Sequence, residues 1–283
     1  MPSLGLLFQA ILSGVFVGAL YGLLGLGLGL SWGLLRLINL AHFAFAFLAA
    51  YLCYQLVTAV GMDPLATLVV VVPAFFVLGA GLHAVMARFA LTPFNSLLLT
   101  FGLTAIVEAV IQWVWTADFR RMESHYGQAK FRLAELYVPV PELITLVLSV
   151  GLSLAVWAVL RHTDVGRALR AAAEDGPIAA AFGVNRRLHA TLLAGTCAAL
   201  AAVAGVCLAL TATLAPSQIY AWVGVVFAAV MLGGLGSALG PLLAGVLIGV
   251  SEAVTMAVTA PSWAPIVSFT LLITVLLLRP GRT

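Results

Sequence analysis

Charge is what this sequence has least of. Asp, Glu, Lys and Arg make up 8% of its 283 residues, against about 25% in a soluble domain. There is a single lysine, Lys130, beside twelve arginines, and the formal net charge is +3. That balance is too small to imply a nucleic-acid partner. No charged residue stands between Met1 and Leu35, and none between Leu188 and Ser251. A chain that is 63% hydrophobic and so poor in charge has no means of clothing an aqueous surface. Most of its solvent is therefore lipid.

Catalytic signatures are also missing. There is no G-x-x-x-x-G-K-[ST], so ATP is not held here by a P-loop. The glycine-rich run Gly22 to Gly29 lacks both G-x-G-x-x-G and a lysine. Neither H-E-x-x-H nor G-x-S-x-G occurs. His42, His83, His125, His162 and His189 are scattered without ligand spacing, so no metal site is expected. Cys53, Cys197 and Cys207 all lie in apolar runs and read as small packing residues rather than a disulfide or a metal site. The start of the chain lacks the basic head and small-residue cleavage site of a signal peptide.

What the sequence does have is long apolar runs separated by breakers. Spans are predicted near 3–31, 39–60, 65–87, 96–117, 142–160, 189–210, 220–235, 240–259 and 264–279. The expected fold is an all-α integral membrane bundle of about nine transmembrane helices, with eight to ten as the range. It is expected to form a single transmembrane domain over 1–283. Two polar loops, 118–141 and 161–188, carry most of the charge. Leu4 to Leu30 would extend about 40 Å as a helix, longer than a hydrocarbon core of about 30 Å. It is expected to tilt or to break near its glycines.

Basic residues at alternate ends give an orientation. With the 161–188 loop in the cytoplasm, that side holds Arg36, Arg88, Arg161, Arg167, Arg170, Arg186, Arg187, Arg279 and Arg282. The other side holds Arg120, Arg121, Lys130 and Arg132. The positive-inside rule then places the N-terminus and the 118–141 loop outside and the C-terminus in the cytoplasm.

Small residues recur at helical spacing. Gly14, Gly18 and Gly22 form one row, Gly25, Gly29 and Gly33 another, and Gly245 and Gly249 a pair. Such rows let backbones approach closely, within one bundle or across a dimer seam. Polar groups inside spans are costly and so informative. Glu108 has Gln112 one turn later on its face; Glu252 lies in the eighth span; Asn39 and His42 open the second. Each either lines a polar path or bonds to a neighbouring helix. The cluster Gly233, Gly234, Gly236 and Gly240 breaks an apolar run, as a turn between two spans or as irregular backbone facing a cavity.

The loop from Thr163 to Asn185 is the most organised polar segment. Arg167, Arg170 and Glu174 share one helix face, Ala171 to Ala173 favour helix, and Gly176-Pro177 stops it and permits a second short helix ended by Gly183. A short helical hairpin of this kind reads as a docking feature.

In this loop the chain resembles the branched-chain amino acid ABC transporter permeases, whose pattern is T-x-x-G-R-A-x-R-A-x-A-E-D followed by G-[IV]-N. Thr163, Gly166, Arg167, Arg170, Glu174, Asp175, Gly183 and Asn185 match it. So do Leu37-Ile38-Asn39-Leu40-Ala41-His42, Gly233-Gly234-Leu235-Gly236-Ser237 with Gly240, and Leu278-Arg279-Pro280. Phe43 departs from the family's glycine, and Gly176 and Pro177 from its proline and acidic residue. The resemblance implies a non-enzymatic permease subunit of an importer in the bacterial inner membrane. It would move branched-chain or other hydrophobic amino acids. Its partners would be ATPase subunits that bind the ATP, a second permease subunit and an extracytoplasmic substrate-binding protein. It implies no cofactor in this chain, and no partner but membrane lipid besides these proteins. Arg167, Arg170, Glu174, Asp175 and Gly183 would couple to the ATPase. Asn39, His42, Phe43, Glu108 and Glu252 are the candidates for the solute path. Related systems carry urea, short amides or other small polar solutes. A reading of another class is a self-sufficient secondary transporter or channel, with Glu108 and Glu252 as its membrane carboxylates.

Overall fold

A computed structural model describes residues 4–89, 92–128, 130–133, 136–259 and 263–278. Each apolar segment of the sequence is helical. The first is α1 (Leu4–Leu35), followed by α2 (Ala41–Val60), α3 (Leu68–Arg88) and α4 (Pro93–Trp115). After a short α5 (His125–Gln128), strands β1 (Lys130–Leu133) and β2 (Leu136–Pro139) pair antiparallel, Phe131 opposite Val138. Then come α6 (Val140–His162), α7 (Asp164–Glu174), α8 (Gly176–Ala181) and α9 (Arg186–Thr211). A 3-10 turn (Pro216–Tyr220) leads into α10 (Ala221–Gly233), and α11 (Gly240–Val258) and α12 (Ala264–Leu278) complete the order. Arg279, Pro280, Arg282 and the turn residues Pro261 and Ser262 lie outside the described residues.

Eight helical segments among the described residues are long and apolar enough to span a bilayer, the 3-10 turn and α10 forming one of them. α12, with 15 residues or about 22 Å at 1.5 Å per residue, is shorter than these eight and is not among them. Among the described residues, the β-hairpin and an isolated bridge between Arg120 and Leu214 depart from the all-α expectation. The β-hairpin sits within the 118–141 loop, where the Gln9 side chain clamps it. Gln9 Nε2 donates to the Tyr137 carbonyl at 3.1 Å and its Oε1 accepts from the Tyr137 amide at 2.9 Å.

α1 does not break at its glycines. It runs 32 residues, about 48 Å, and its glycines serve contact instead. A Cβ on Gly14 would come within 2.5 Å of Val250 Cα, on Gly18 within 2.5 Å of the Gly245 carbonyl oxygen, and on Gly249 within 2.4 Å of the Gly14 carbonyl oxygen. The row that begins at Gly14 thus meets the Gly245–Gly249 pair, α1 on α11, inside one bundle. Gly205 of α9 likewise lies against the Ala46 carbonyl of α2, and Gly79 of α3 against Ala194 and Ala198 of α9. α1, α2 and α9 form the packed centre.

Contacts between loops sort the helix ends onto two faces. On one, Arg36 at the end of α1 donates to the Ala173 carbonyl of α7 at 2.8 Å, and the Gly236 amide donates to Gly29 at 3.1 Å. On the other, Tyr126 donates to Asp63 at 3.0 Å, and Arg120 and Leu214 exchange backbone hydrogen bonds of 2.9 and 2.7 Å. The first face is called the hairpin face below, after α7 and α8.

Candidate functional site

The α7–α8 hairpin is built from local chemistry. The Thr163 hydroxyl donates to Val159 at 2.6 Å, closing α6, and accepts from the Gly166 amide at 3.2 Å, opening α7. Gly166 is where α7 folds back on α6. A Cβ there would come within 2.4 Å of the Leu160 carbonyl oxygen and 2.5 Å of Leu160 Cα. Asp175 caps α8 by accepting from the Ile178 amide at 3.0 Å, and Asn185 caps α9 by accepting from Leu188 at 3.1 Å. Gly183 takes φ +86°, a left-handed turn that glycine tolerates best. The Val184 amide reaches back to the Ala179 carbonyl at 3.1 Å, as in a Schellman stop.

The hairpin is tied to the bundle and still largely exposed. Leu169 is buried in a cluster with Leu26 and Leu30 of α1 and Leu193 and Cys197 of α9. The Arg186 guanidinium lies on Gly176, where a Cβ would come within 2.3 Å of its Cζ. Arg167, Arg170, Glu174, Asp175 and Gly183 all face solvent, Arg167 in an ion pair with Asp164. Alongside them stand Ile178 and Phe182, 57% and 86% exposed. With Val165 of α7, 46% exposed, they are the large apolar side chains that the hairpin leaves uncovered. Sequence reading passed over both, because one isoleucine and one phenylalanine carry no periodic signal in so short a helix. Between the hairpin and the ends of α1, α3 and α9 is a cavity of about 720 Å³ lined by Arg36, His83, Glu174, Arg186, Arg187 and His189.

The polar residues singled out within the spans do not converge. His42 is buried. Its Nε2 lies 2.9 Å from the Leu24 carbonyl, an acceptor, so that nitrogen carries the proton. Its ring covers Gly27, where a Cβ would come within 2.5 Å of Cε1. Phe43 is buried and stacked on Phe227 at 6.3 Å. The Glu252 carboxylate is buried and accepts from Tyr21 of α1 at 3.0 Å and from Ser268 of α12, joining three helices. Asn39 lies in the α1–α2 turn, its Oδ1 buried without a hydrogen-bond partner, beside a cavity of about 20 Å³ that Ser31 and His83 also line. Glu108 alone points outward, part-exposed on α4, with Gln112 Nε2 donating to it at 3.2 Å. A carboxylate facing hydrocarbon at mid-helix costs about 3 kcal/mol. Gly233 and Gly240 pack so closely that a Cβ on Gly240 would come within 1.9 Å of the Gly233 carbonyl oxygen, while Gly234 and Gly236 take φ +91° and +76°. This cluster is a chain reversal from α10 to α11, pressed against Gly33 at the end of α1.

A bundle of long apolar helices with a helical hairpin presented on one face defines a polytopic membrane protein. Residues 10–276 match the family described as branched-chain amino acid transport system, permease component, and the chain belongs to that family. It is 27% identical to the high-affinity branched-chain amino acid transport system permease protein LivH of Salmonella typhimurium, over 96% of this chain and 93% of that one. It is 28% identical to the corresponding permease BraD of Pseudomonas aeruginosa, over 99% and 96%. It is 29% identical to the probable branched-chain amino acid transport permease LivH of Methanocaldococcus jannaschii, over 80% and 74%. No solved structure matches the chain.

Proposed function

We propose that this chain is the membrane subunit of an ABC importer for branched-chain or other hydrophobic amino acids in the bacterial inner membrane. ATPase subunits dock on the α7–α8 hairpin, a second permease subunit completes the path, and a binding protein delivers solute to the opposite face. The observation that carries this reading is the hairpin itself. It presents Ile178 and Phe182 to solvent, and its other side is anchored through Leu169 and the Arg36–Ala173 hydrogen bond. A push on the exposed side is therefore delivered to the ends of α1 and α9. The names of the relatives support the solute class. The excess of arginines on the hairpin side supports placing that face in the cytoplasm.

The test is co-purification. A tagged chain from its native membranes is expected to bring down an ATPase carrying a P-loop, and solute uptake is expected to stop when ATP is withdrawn. Uptake that continues without ATP, and with no ATPase bound, rejects the importer reading.

A further inference from the structure

We propose that the side of α4 carrying Phe101, Ala105, Glu108 and Gln112, continued by Tyr220, is the seam where the second permease subunit packs, with Glu108 and Gln112 facing the solute path along it. This rests on the importer reading and adds to it the place of contact.

α4 meets its own bundle along one stripe. Ser96, Thr100, Thr104, Val107 and Ile111 are buried and recur at three and four residues, so they share one helix face. The remaining surface of the helix divides in two. One side carries Leu99, Ile106, Val110 and Trp113, which are 41%, 62%, 44% and 85% exposed and wholly apolar. That side suits lipid. The other side carries Phe101, Ala105, Glu108 and Gln112, again at spacings of four, three and four. Tyr220 extends it from the 3-10 turn, its ring 6.4 Å from that of Phe101, its hydroxyl next to Glu108.

Lipid is the wrong occupant for this second side. Gln112 donates to Glu108, but no cation pairs with the carboxylate among the described residues. A charge at that depth needs water or a countercharge, and hydrocarbon supplies neither. Intramembrane carboxylates face a bundle interior or a water-filled cavity, and this one faces away from the interior of its own bundle. A second polypeptide with a hydrated seam between the two satisfies both conditions. The neighbouring aromatics Phe101 and Tyr220, 51% and 40% exposed, supply packing area beside the polar pair.

The two sides of α4 make different predictions in one experiment. A photo-cross-linking phenylalanine analogue is placed at Phe101 or Ala105, and at Ile106 or Trp113 as controls, in the full chain in native membranes. Adducts are identified by mass spectrometry, and ATPase co-purification is followed in parallel as the sign of an intact assembly. Permease adducts, with a second copy or a related permease chain, are expected from Phe101 and Ala105 at several-fold the control yield. Adducts that favour the controls, or none from Phe101 and Ala105 while the ATPase still co-purifies, overturn the seam and leave the importer reading standing. Absence of the ATPase from the unmodified chain overturns the importer reading itself. Glu108→Leu is expected to lower uptake at least tenfold with the ATPase still bound. Unchanged uptake removes Glu108 from the path.

Discussion

Gly166 is a residue whose importance comes from an atom it does not have. Any side chain there meets the Leu160 carbonyl, a backbone group that has no room to yield. Gly166→Val is expected to swing α7 away from α6 and uncouple ATP hydrolysis from uptake, read as ATPase activity without solute accumulation in proteoliposomes. Glu252 presents the opposite case, a carboxyl group held inside the bundle by two hydroxyls that address it. Glu252→Leu leaves the Tyr21 and Ser268 hydroxyls without their acceptor, at roughly 1–3 kcal/mol for each group left buried and unpaired. A lowered thermal unfolding temperature in detergent, largely restored by Glu252→Gln, is the expected result. The sequence marked both Glu108 and Glu252 as intramembrane carboxylates but had no means of separating them. Which one turns inward depends on what α1 and α12 bring opposite.

At the scale of elements, two helix pairs carry different burdens. The α1–α11 crossing is backbone on backbone, Gly14 and Gly18 against Gly245 and Gly249. Close approach is the source of attraction between helices in lipid, where no hydrophobic drive operates. Gly18→Leu or Gly245→Leu is therefore expected to disrupt folding, seen as loss of monodisperse protein on size exclusion. Gly81→Leu on α3, where an added Cβ meets nothing within 4 Å, is expected to be tolerated. The α7–α8 hairpin carries docking instead. Phe182→Asp is expected to abolish ATPase co-purification while leaving the fold intact, because the side chain is 86% exposed and contributes little to the bundle. Two helix starts are fixed by caps that the apolar pattern missed. α9 starts at Arg186 because Asn185 caps it, and α4 starts at Pro93 because Thr92 accepts from Asn95 at 3.2 Å. That is three residues before the apolar pattern placed each start, since periodicity does not register the polar first turn.

For the molecule as a whole, the two sets of loop contacts place Gln9 and the β-hairpin together on one face and Arg36 and α7 together on the other. α1 therefore crosses from the first face to the second. We propose α12 as a ninth crossing, which would put the two chain ends on opposite sides, the arginine-rich side being the cytoplasmic one. Ser124→Cys is expected to react with a membrane-impermeant maleimide in intact cells, and Ala180→Cys only after lysis. The reverse pattern would invert the orientation and put the hairpin out of reach of a cytoplasmic ATPase.

The sequence by itself determined the class and the layout. Scarcity of charge forces lipid as solvent. Runs of about 20 apolar residues force helices, since only internal hydrogen bonding satisfies a backbone there, and Ala171 to Ala173, the Gly176-Pro177 stop and Gly183 announce a helical hairpin. Only the tertiary structure decided how these parts face each other. It showed that the glycine rows of α1 and α11 are partners, that Phe43 and His42 are packed within the bundle, and that Phe182 stands out from it. It also separated Glu252, bonded to Tyr21 and Ser268, from Glu108, turned away from its own bundle. Local spacing places a residue on a helix face. What that face meets is fixed by helices far away in the chain, and that meeting makes one carboxylate a brace and leaves the other open to a partner.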